Sequence, residues 1–341
     1  MTEARGVIVH QGALGDFLLA LPVIEGLHRA SPEVKFDFWS HPAHLSLIHG
    51  KPYLISSFDS GGSEWMPFYE DTRWQNCPLP RGVVDACYIL VFGQASSAFV
   101  VERLKARVQA PVHWIKSFPD GDEGRHTTDF LEDQVRACRL PLEMAPLKLT
   151  PDPHELAAVR EWTRLHGGAG ERRQVVVHPG SGGLRKVWPL FRWRALLRWL
   201  AQRQDLRVSI VLGPADGRIR SFVHETAAEE RIDVVDNVEL PALAALLSDS
   251  ALYIGNDSGV THLAVAVGVP TVAIFGPTDP SVWGPRGRHV EIFRDSWNLE
   301  EILASQPTPS GYQSVSLLVS RVEAKLDAEI AARSPDRDNE G

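Results

Sequence analysis

Gln174-Val175-Val176-Val177-His178-Pro179-Gly180-Ser181-Gly182-Gly183-Leu184-Arg185-Lys186-Val187-Trp188-Pro189 leaves a short apolar strand, passes through a glycine-rich turn and enters a helical pattern at Arg192 to Arg203. Strand, turn and helix in that order form the repeating unit of a parallel α/β sheet. The unit recurs downstream: strands at Arg207–Gly213, Asp233–Val235, Ala251–Gly255 and Thr271–Phe275 alternate with helices around Ile219–Glu229, at Pro241–Ser248 and at Val260–Val267. Upstream it recurs as a strand at Gly6–His10, a helix from about Asp16 to Ala30, and strands at Val34–Trp39 and Val83–Phe92.

Between these two series lies the proline-dotted stretch Pro141 to Pro153, followed by a helical pattern at His154–Leu165 that ends in Gly167 and Gly168. Proline and glycine clusters punctuate structure, so the domain boundary is set near residue 150. A chain of 341 residues is long for one core and comfortable for two. The expected organisation is α/β, with one Rossmann-like doubly wound domain over 1–150 and a second over 151–313. A C-terminal helix spans Ser314 to Ala332, with Ser314 as its N-cap, and a polar frayed tail covers 334–341.

Composition is that of a folded globular protein, 44% hydrophobic and 23% charged. Lys and Arg number 35 against 43 Asp and Glu, a net charge of −8, which argues against a nucleic-acid binder that neutralises phosphates. Cys77, Cys87 and Cys138 are too few and too scattered for a disulfide framework or a zinc site, and they point to a reducing, cytoplasmic setting. Asp16 interrupts the place where a signal peptide would be continuously apolar, and no run reaches the ~18 apolar residues of a membrane span. The aromatics Trp65, Phe68, Tyr69 and Trp74 either pack onto the core or touch lipid peripherally.

Four segments carry candidate chemistry. In His10-Gln11-Gly12-Ala13-Leu14-Gly15-Asp16, glycines permit a sharp turn and a carboxylate stands at the positive end of a helix. The plain alternative is that Asp16 caps the helix. Gly12 and Gly15 give GxxG, without the dinucleotide fingerprint GxGxxG. In the opening segment, backbone N–H groups exposed by small residues, the Ser181 hydroxyl and the Lys186 cation suit a pyrophosphate, against the alternative of a surface turn. Gly255-Asn256-Asp257-Ser258-Gly259-Val260-Thr261-His262 again ends a strand and starts a helix whose free N–H groups favour an anion, against a structural cap by Asp257 or Ser258. Phe275-Gly276-Pro277-Thr278-Asp279-Pro280 alone is a turn, but these last three segments all follow strands, where open α/β sheets bind ligands.

Together, Gly12-Ala13-Leu14-Gly15-Asp16 with Leu21-Pro22, His178-Pro179-Gly180 with Arg185-Lys186 and Trp188-Pro189, Gly255 to Gly259 with His262, and Phe275 to Thr278 resemble glycosyltransferase family nine, the ADP-heptose:lipopolysaccharide heptosyltransferases. The resemblance covers roughly residues 6 to 290. It implies a GT-B fold, the acceptor bound mainly by the first domain and the nucleotide sugar by the second. The implied reaction is heptose transfer from ADP-heptose to a lipid-linked inner-core acceptor at the cytoplasmic face of the inner membrane. Inversion, and no obligatory metal or other cofactor, are implied as well. By motif position Asp16 would be the general base and Lys186 the donor-phosphate contact. Gly12, Gly15, Ser181, Gly182, Asp257, Ser258, Gly259 and His262 would line the donor site, with Asp216 of Gly213-Pro214-Ala215-Asp216 near the ribose. A relative with another donor or acceptor, a non-catalytic nucleotide-sugar binder, and an NAD-dependent oxidoreductase are the alternatives; the last is weakened by the missing GxGxxG.

Overall fold

The computed structural model describes residues 4–120, 124–166, 172–304 and 309–333. The chain divides into two units, Met1–Leu147 and Lys148–Gly341. In the first, β1 (Ala4–His10), β2 (Val34–Ser40), β3 (Leu54–Asp59), β4 (Tyr88–Gly93) and β5 (Val112–Lys116) form a sheet of order β3-β2-β1-β4-β5. Every pairing is parallel. The helices of eight or more residues here are α1 (Leu14–Ala30), α2 (Ala98–Lys105) and α3 (Thr127–Ala137).

The second unit holds β6 (Arg173–His178), β7 (Leu206–Leu212), β8 (Asp233–Asp236), β9 (Leu252–Asn256), β10 (Thr271–Phe275) and β11 (Val290–Arg294). Their order is β11-β10-β9-β6-β7-β8, again all parallel. Renumbered from the first strand this is 3-2-1-4-5-6, the doubly wound dinucleotide-fold order. Its longer helices are α4 (Pro153–His166), α5 (Leu190–Ala201), α6 (Arg220–Glu230), α7 (Leu240–Ser248), α8 (Gly259–Val267) and α9 (Pro309–Arg333). Helices on both faces leave the central strands no wet side, so Val175, Val176 and Val177 are fully buried, as are all five residues of β9 and of β10.

Several expectations change. The strand expected at Val83–Phe92 starts only at Tyr88, because residues 81–87 form turns and bends, although Val83 itself is buried. Trp65 and Phe68 are fully buried with Val7, Trp39 and Val91, so these two rings are core and not lipid contacts. The C-terminal helix begins at Pro309, so Ser314 is not its cap. The Ser314 hydroxyl instead donates to Asp295 Oδ1 at 3.0 Å. Val315, Leu318, Val322 and Leu326 of α9 join the core of the second unit. Asp295, just past β11, also accepts from Trp188 Nε1 and from the buried Arg192 guanidinium, both at 2.7 Å. The tail expected to fray lies outside the described residues.

Candidate active site

Each sheet reverses strand order beside its first strand, between β1 and β4 and between β6 and β9. Connections then leave in opposite directions, and a crevice opens past the carboxyl ends of those strands. In the second unit the loops following β6, β7, β9 and β10 meet there.

Asn256, the buried last residue of β9, pins both ends of the glycine-rich loop. Its Nδ2 donates to the Pro179 carbonyl at 2.7 Å, and its Oδ1 accepts the Trp188 N–H at 3.2 Å. Ser181 Oγ donates to the Asp257 carbonyl at 2.8 Å. The Asp257 carboxylate accepts from Lys186 Nζ at 2.9 Å and from Thr278 Oγ1 at 2.8 Å, joining three loops through one side chain. Lys186 is 34% exposed, with the Trp283 ring 5.8 Å from its ammonium. A lysine stem is flexible, and the pairing with Asp257 holds its charge in one place. Ser258 is the N-cap of α8, its Oγ accepting the Thr261 N–H, and Gly259 is the first helical residue. A fixed cation therefore stands beside a helix N-terminus, an arrangement that suits a diphosphate.

Under this loop lies a buried chain. His178 Nε2 is 3.1 Å from Asp216 Oδ2, and His178 Nδ1 is 3.2 Å from Ser258 Oγ. With Nε2–H donating to the carboxylate, Nδ1 accepts from the Ser258 hydroxyl. Asp216 is 4% exposed and also accepts the Gly213 N–H at 2.7 Å. Burial pushes its carboxyl up, but the His178 and Gly213 hydrogen bonds outweigh that and hold it below the ordinary value. A Cβ at position 180 would lie 1.8 Å from Asp216 Oδ1, so only glycine lets the loop pass this carboxylate. Ser181, Gly182, Leu184, Asp216, Arg218 and Ile219 line a pocket of about 240 Å³ beside it.

In the first unit the α1 N-cap is Ala13, and Asp16 is the third helical residue. The plain alternative holds in part: Asp16 does not occupy the N-cap position, but its carboxylate reaches back and accepts the Ala13 N–H at 3.2 Å, which is a capping contact. Gly12 has no room for a side chain, since a Cβ there would come within 2.9 Å of both Asp16 Cβ and His10 Cε1. His10 is 1% exposed; burial first, and then His44, push its pKa down to about 3, so the ring is neutral. Gln11, Gly12 and Ala13 form one wall of a pocket of about 430 Å³.

Of the expected residues, the fold brings Ser181, Lys186, Asp257 and Ser258 into one network, with Asp216 joined through His178, Gly182 on the pocket wall and Gly259 at the helix start. His262 is a mostly buried residue of α8. Gly12 and Gly15 fall with Asp16 at the head of α1. Trp283 and Arg218 escaped sequence reading, and Thr278 and Asn256, though inside the quoted segments, were given no role there, although the rule that ligands gather past strand ends points to all of their loops. Among the described residues, no group of three or more His, Cys, Asp or Glu is placed to hold a metal ion. No described helix is long and apolar enough to cross a membrane.

Two parallel-sheet α/β units, each with its polar loops past the strand ends, give this chain the GT-B fold of glycosyltransferases. The family model for glycosyltransferase family 9 (heptosyltransferase) matches residues 86–308, and the chain belongs to that family. Lipopolysaccharide heptosyltransferase 1 of Pseudomonas aeruginosa is 24% identical over 304 residues, 83% of this chain and 82% of that protein. A family 9 glycosyl transferase from Veillonella parvula superposes with a TM-score of 0.73 at 18% identity, covering 96% of this chain and 98% of that one. The ADP-heptose lipopolysaccharide heptosyltransferase II of Escherichia coli superposes at 0.70 with 16% identity, covering 96% and 99%.

Proposed function

We propose that the protein is an inverting heptosyltransferase that moves heptose from ADP-heptose to a lipopolysaccharide inner-core acceptor. The observation that carries this is the Lys186–Asp257 pair at the head of α8, a fixed cation beside free N–H groups where a diphosphate leaves. An acceptor hydroxyl attacks the anomeric carbon and passes its proton to the Asp16 carboxylate. The bond from that carbon to the ADP oxygen breaks, and the charge arriving on the diphosphate is met by Lys186 and the start of α8. One displacement inverts the anomeric centre. A retaining route would require a further carboxylate nucleophile. No metal or other cofactor enters this scheme, and the acceptor is met from the cytoplasm, at the inner-membrane surface.

The family and the nearby heptosyltransferases support the donor assignment. The test compares ADP-heptose with UDP- and GDP-sugars, first by melting temperature and then by turnover. A ligand that binds only the native state stabilises it by about 2.7 kcal/mol at a hundredfold excess over its Kd. ADP-heptose should raise the melting temperature and yield a product of inverted configuration by NMR. Stabilisation by a UDP- or GDP-sugar with none by ADP-heptose would sink the reading.

A further inference from the structure

Lys186 carries its charge on a flexible stem, so its neighbours decide where the ammonium stands. Asp257 supplies one contact at 2.9 Å, but a carboxylate offsets the charge it holds and repels the diphosphate that the ammonium is there to meet. An aromatic face attracts a cation without bearing a charge of its own. Trp283 offers such a face, its ring centroid 5.8 Å from Lys186 Nζ.

The chain around Trp283 makes a stiff mount for the indole. Pro280–Trp283 is a single helical turn that follows β10. Asp279 starts it, its Oδ1 accepting the Ser281 N–H at 2.9 Å and its carbonyl the Trp283 N–H at 3.0 Å. Pro280 fixes φ at the entry to the turn. The exit runs through Gly284, whose N–H donates to the Pro280 carbonyl at 2.8 Å, and a Cβ there would lie 2.4 Å from that oxygen. Pro285 follows, and Val282 anchors the turn by its burial while Trp283 stays partly exposed. Thr278 precedes the turn and donates to Asp257, so this one segment reaches Lys186 twice, directly through Trp283 and through the Thr278–Asp257 bond. A second indole fixes the backbone beside the lysine. Trp297 Nε1 donates to the Arg185 carbonyl at 3.0 Å, and its ring fills the space at Gly276, where a Cβ would come within 2.3 Å of it. With the main chain held, the stem of Lys186 is what remains to be placed.

We propose that Trp283 is a positioning residue of the donor site: its indole face holds the Lys186 ammonium where the leaving diphosphate meets it, without cancelling the charge. This rests on the reading of Lys186 as the diphosphate contact and deepens it. The ring acts through the lysine. Without the ring, the ammonium keeps its Asp257 pair but samples more positions, and its hold on a diphosphate weakens.

The test is a double-substitution cycle in the full-length protein, read by calorimetric binding of pyrophosphate, ADP and ADP-heptose. Pyrophosphate has neither base nor sugar, so its result is independent of which nucleotide sugar the protein uses. Trp283→Leu keeps apolar bulk and should weaken both pyrophosphate and ADP about threefold to tenfold, and Trp283→Phe should recover most of that loss. In the Lys186→Ala background, adding Trp283→Leu should leave ADP affinity where it was, because no ammonium is left to hold. Unchanged pyrophosphate and ADP binding in Trp283→Leu overturns the proposal. So does an equal loss with and without Lys186, which would make the ring a support of the loop itself. A loss confined to ADP-heptose also overturns it and makes the indole a platform for the sugar, and so does a failure of the unaltered protein to bind pyrophosphate. If UDP binds in place of ADP and the cycle run with UDP shows the same coupling, the donor reading fails and the role of Trp283 stands.

Discussion

The two units each end the first strand of their sheet in His-x-Gly, and each carries an aspartate three residues past a helix-start N–H that it accepts, yet the two aspartates live differently. In the first, His10 and Gly12 lead to Asp16, which accepts from Ala13 at 3.2 Å on a half-buried turn. In the second, His178 and Gly180 pack against Asp216, which accepts from Gly213 at 2.7 Å and is tied to the histidine. The histidines differ in the same sense: His178 has a partner on each nitrogen, whereas His10 keeps a buried Nδ1 without one. The same local geometry therefore gives a clamp where a histidine holds the carboxylate in the interior. Where the histidine lies beneath, it leaves the carboxylate partly exposed at the head of the helix.

The sharpest way to break this contrast is Asp16→Asn. The amide oxygen can still accept the Ala13 N–H, so stability should hardly move, while turnover should fall roughly 10²-fold to 10⁴-fold, the range of general-base loss. Single-turnover kinetics beside a denaturant titration checks both halves; near-normal turnover would reduce Asp16 to a helix-start residue. Lys186→Ala should lower turnover at saturating ADP-heptose about 10²-fold to 10³-fold, because a cation acts most on charge that develops as the diphosphate leaves. An unchanged rate at saturation would remove Lys186 from the mechanism.

Asp216→Ala tests the clamp. Loss of a buried acceptor strands the His178 and Gly213 donors and should cost about 1–3 kcal/mol, read as a lower urea midpoint; a stability matching the unaltered protein would make Asp216 free to serve ligand instead. The remaining test is in pH. His10 titrates near 6.5 when unfolded but only at about 3 when folded, so between those values the unfolded chain binds more protons. Its contribution is complete above 6.5 and drains away as pH falls toward 3, by up to roughly 1.4 kcal/mol per pH unit. Relative to His10→Asn, the unaltered protein should lose stability more steeply from pH 6 to 4.5; parallel curves would show that His10 titrates in the fold as it does in the unfolded chain.

The second unit was legible because β6, β7, β9 and β10 are short, mostly apolar and β-branched runs, each followed at once by glycine or a short polar loop, as buried parallel strands tend to be. The order of the motifs then gave the family and the residues Ser181, Lys186, Asp257 and Ser258. The first unit was harder to read. β3 is Leu-Ile-Ser-Ser-Phe-Asp and β5 leaves Trp114 partly exposed; both are edge strands, where neither alternation nor an apolar run is enforced. Residues 60–87 are placed by buried aromatics from distant turns, which no local period announces. Ser314 misled because its partner Asp295 lies 19 residues back in sequence, a tertiary bond that resembles a capping signal.

Asp295 ties the far end of the chain to the donor loops. It holds Ser314 of α9, while Trp188, which it also holds, has its N–H on Asn256 beside Asp257. Thermodynamic linkage then makes α9 a reporter of a site it does not line: whatever tightens the glycine-rich loop deepens the well in which the helix is docked. Amide exchange along α9 should slow when ADP occupies the loops, and a chain trimmed before Ser314 should bind ADP more weakly although every loop residue is intact.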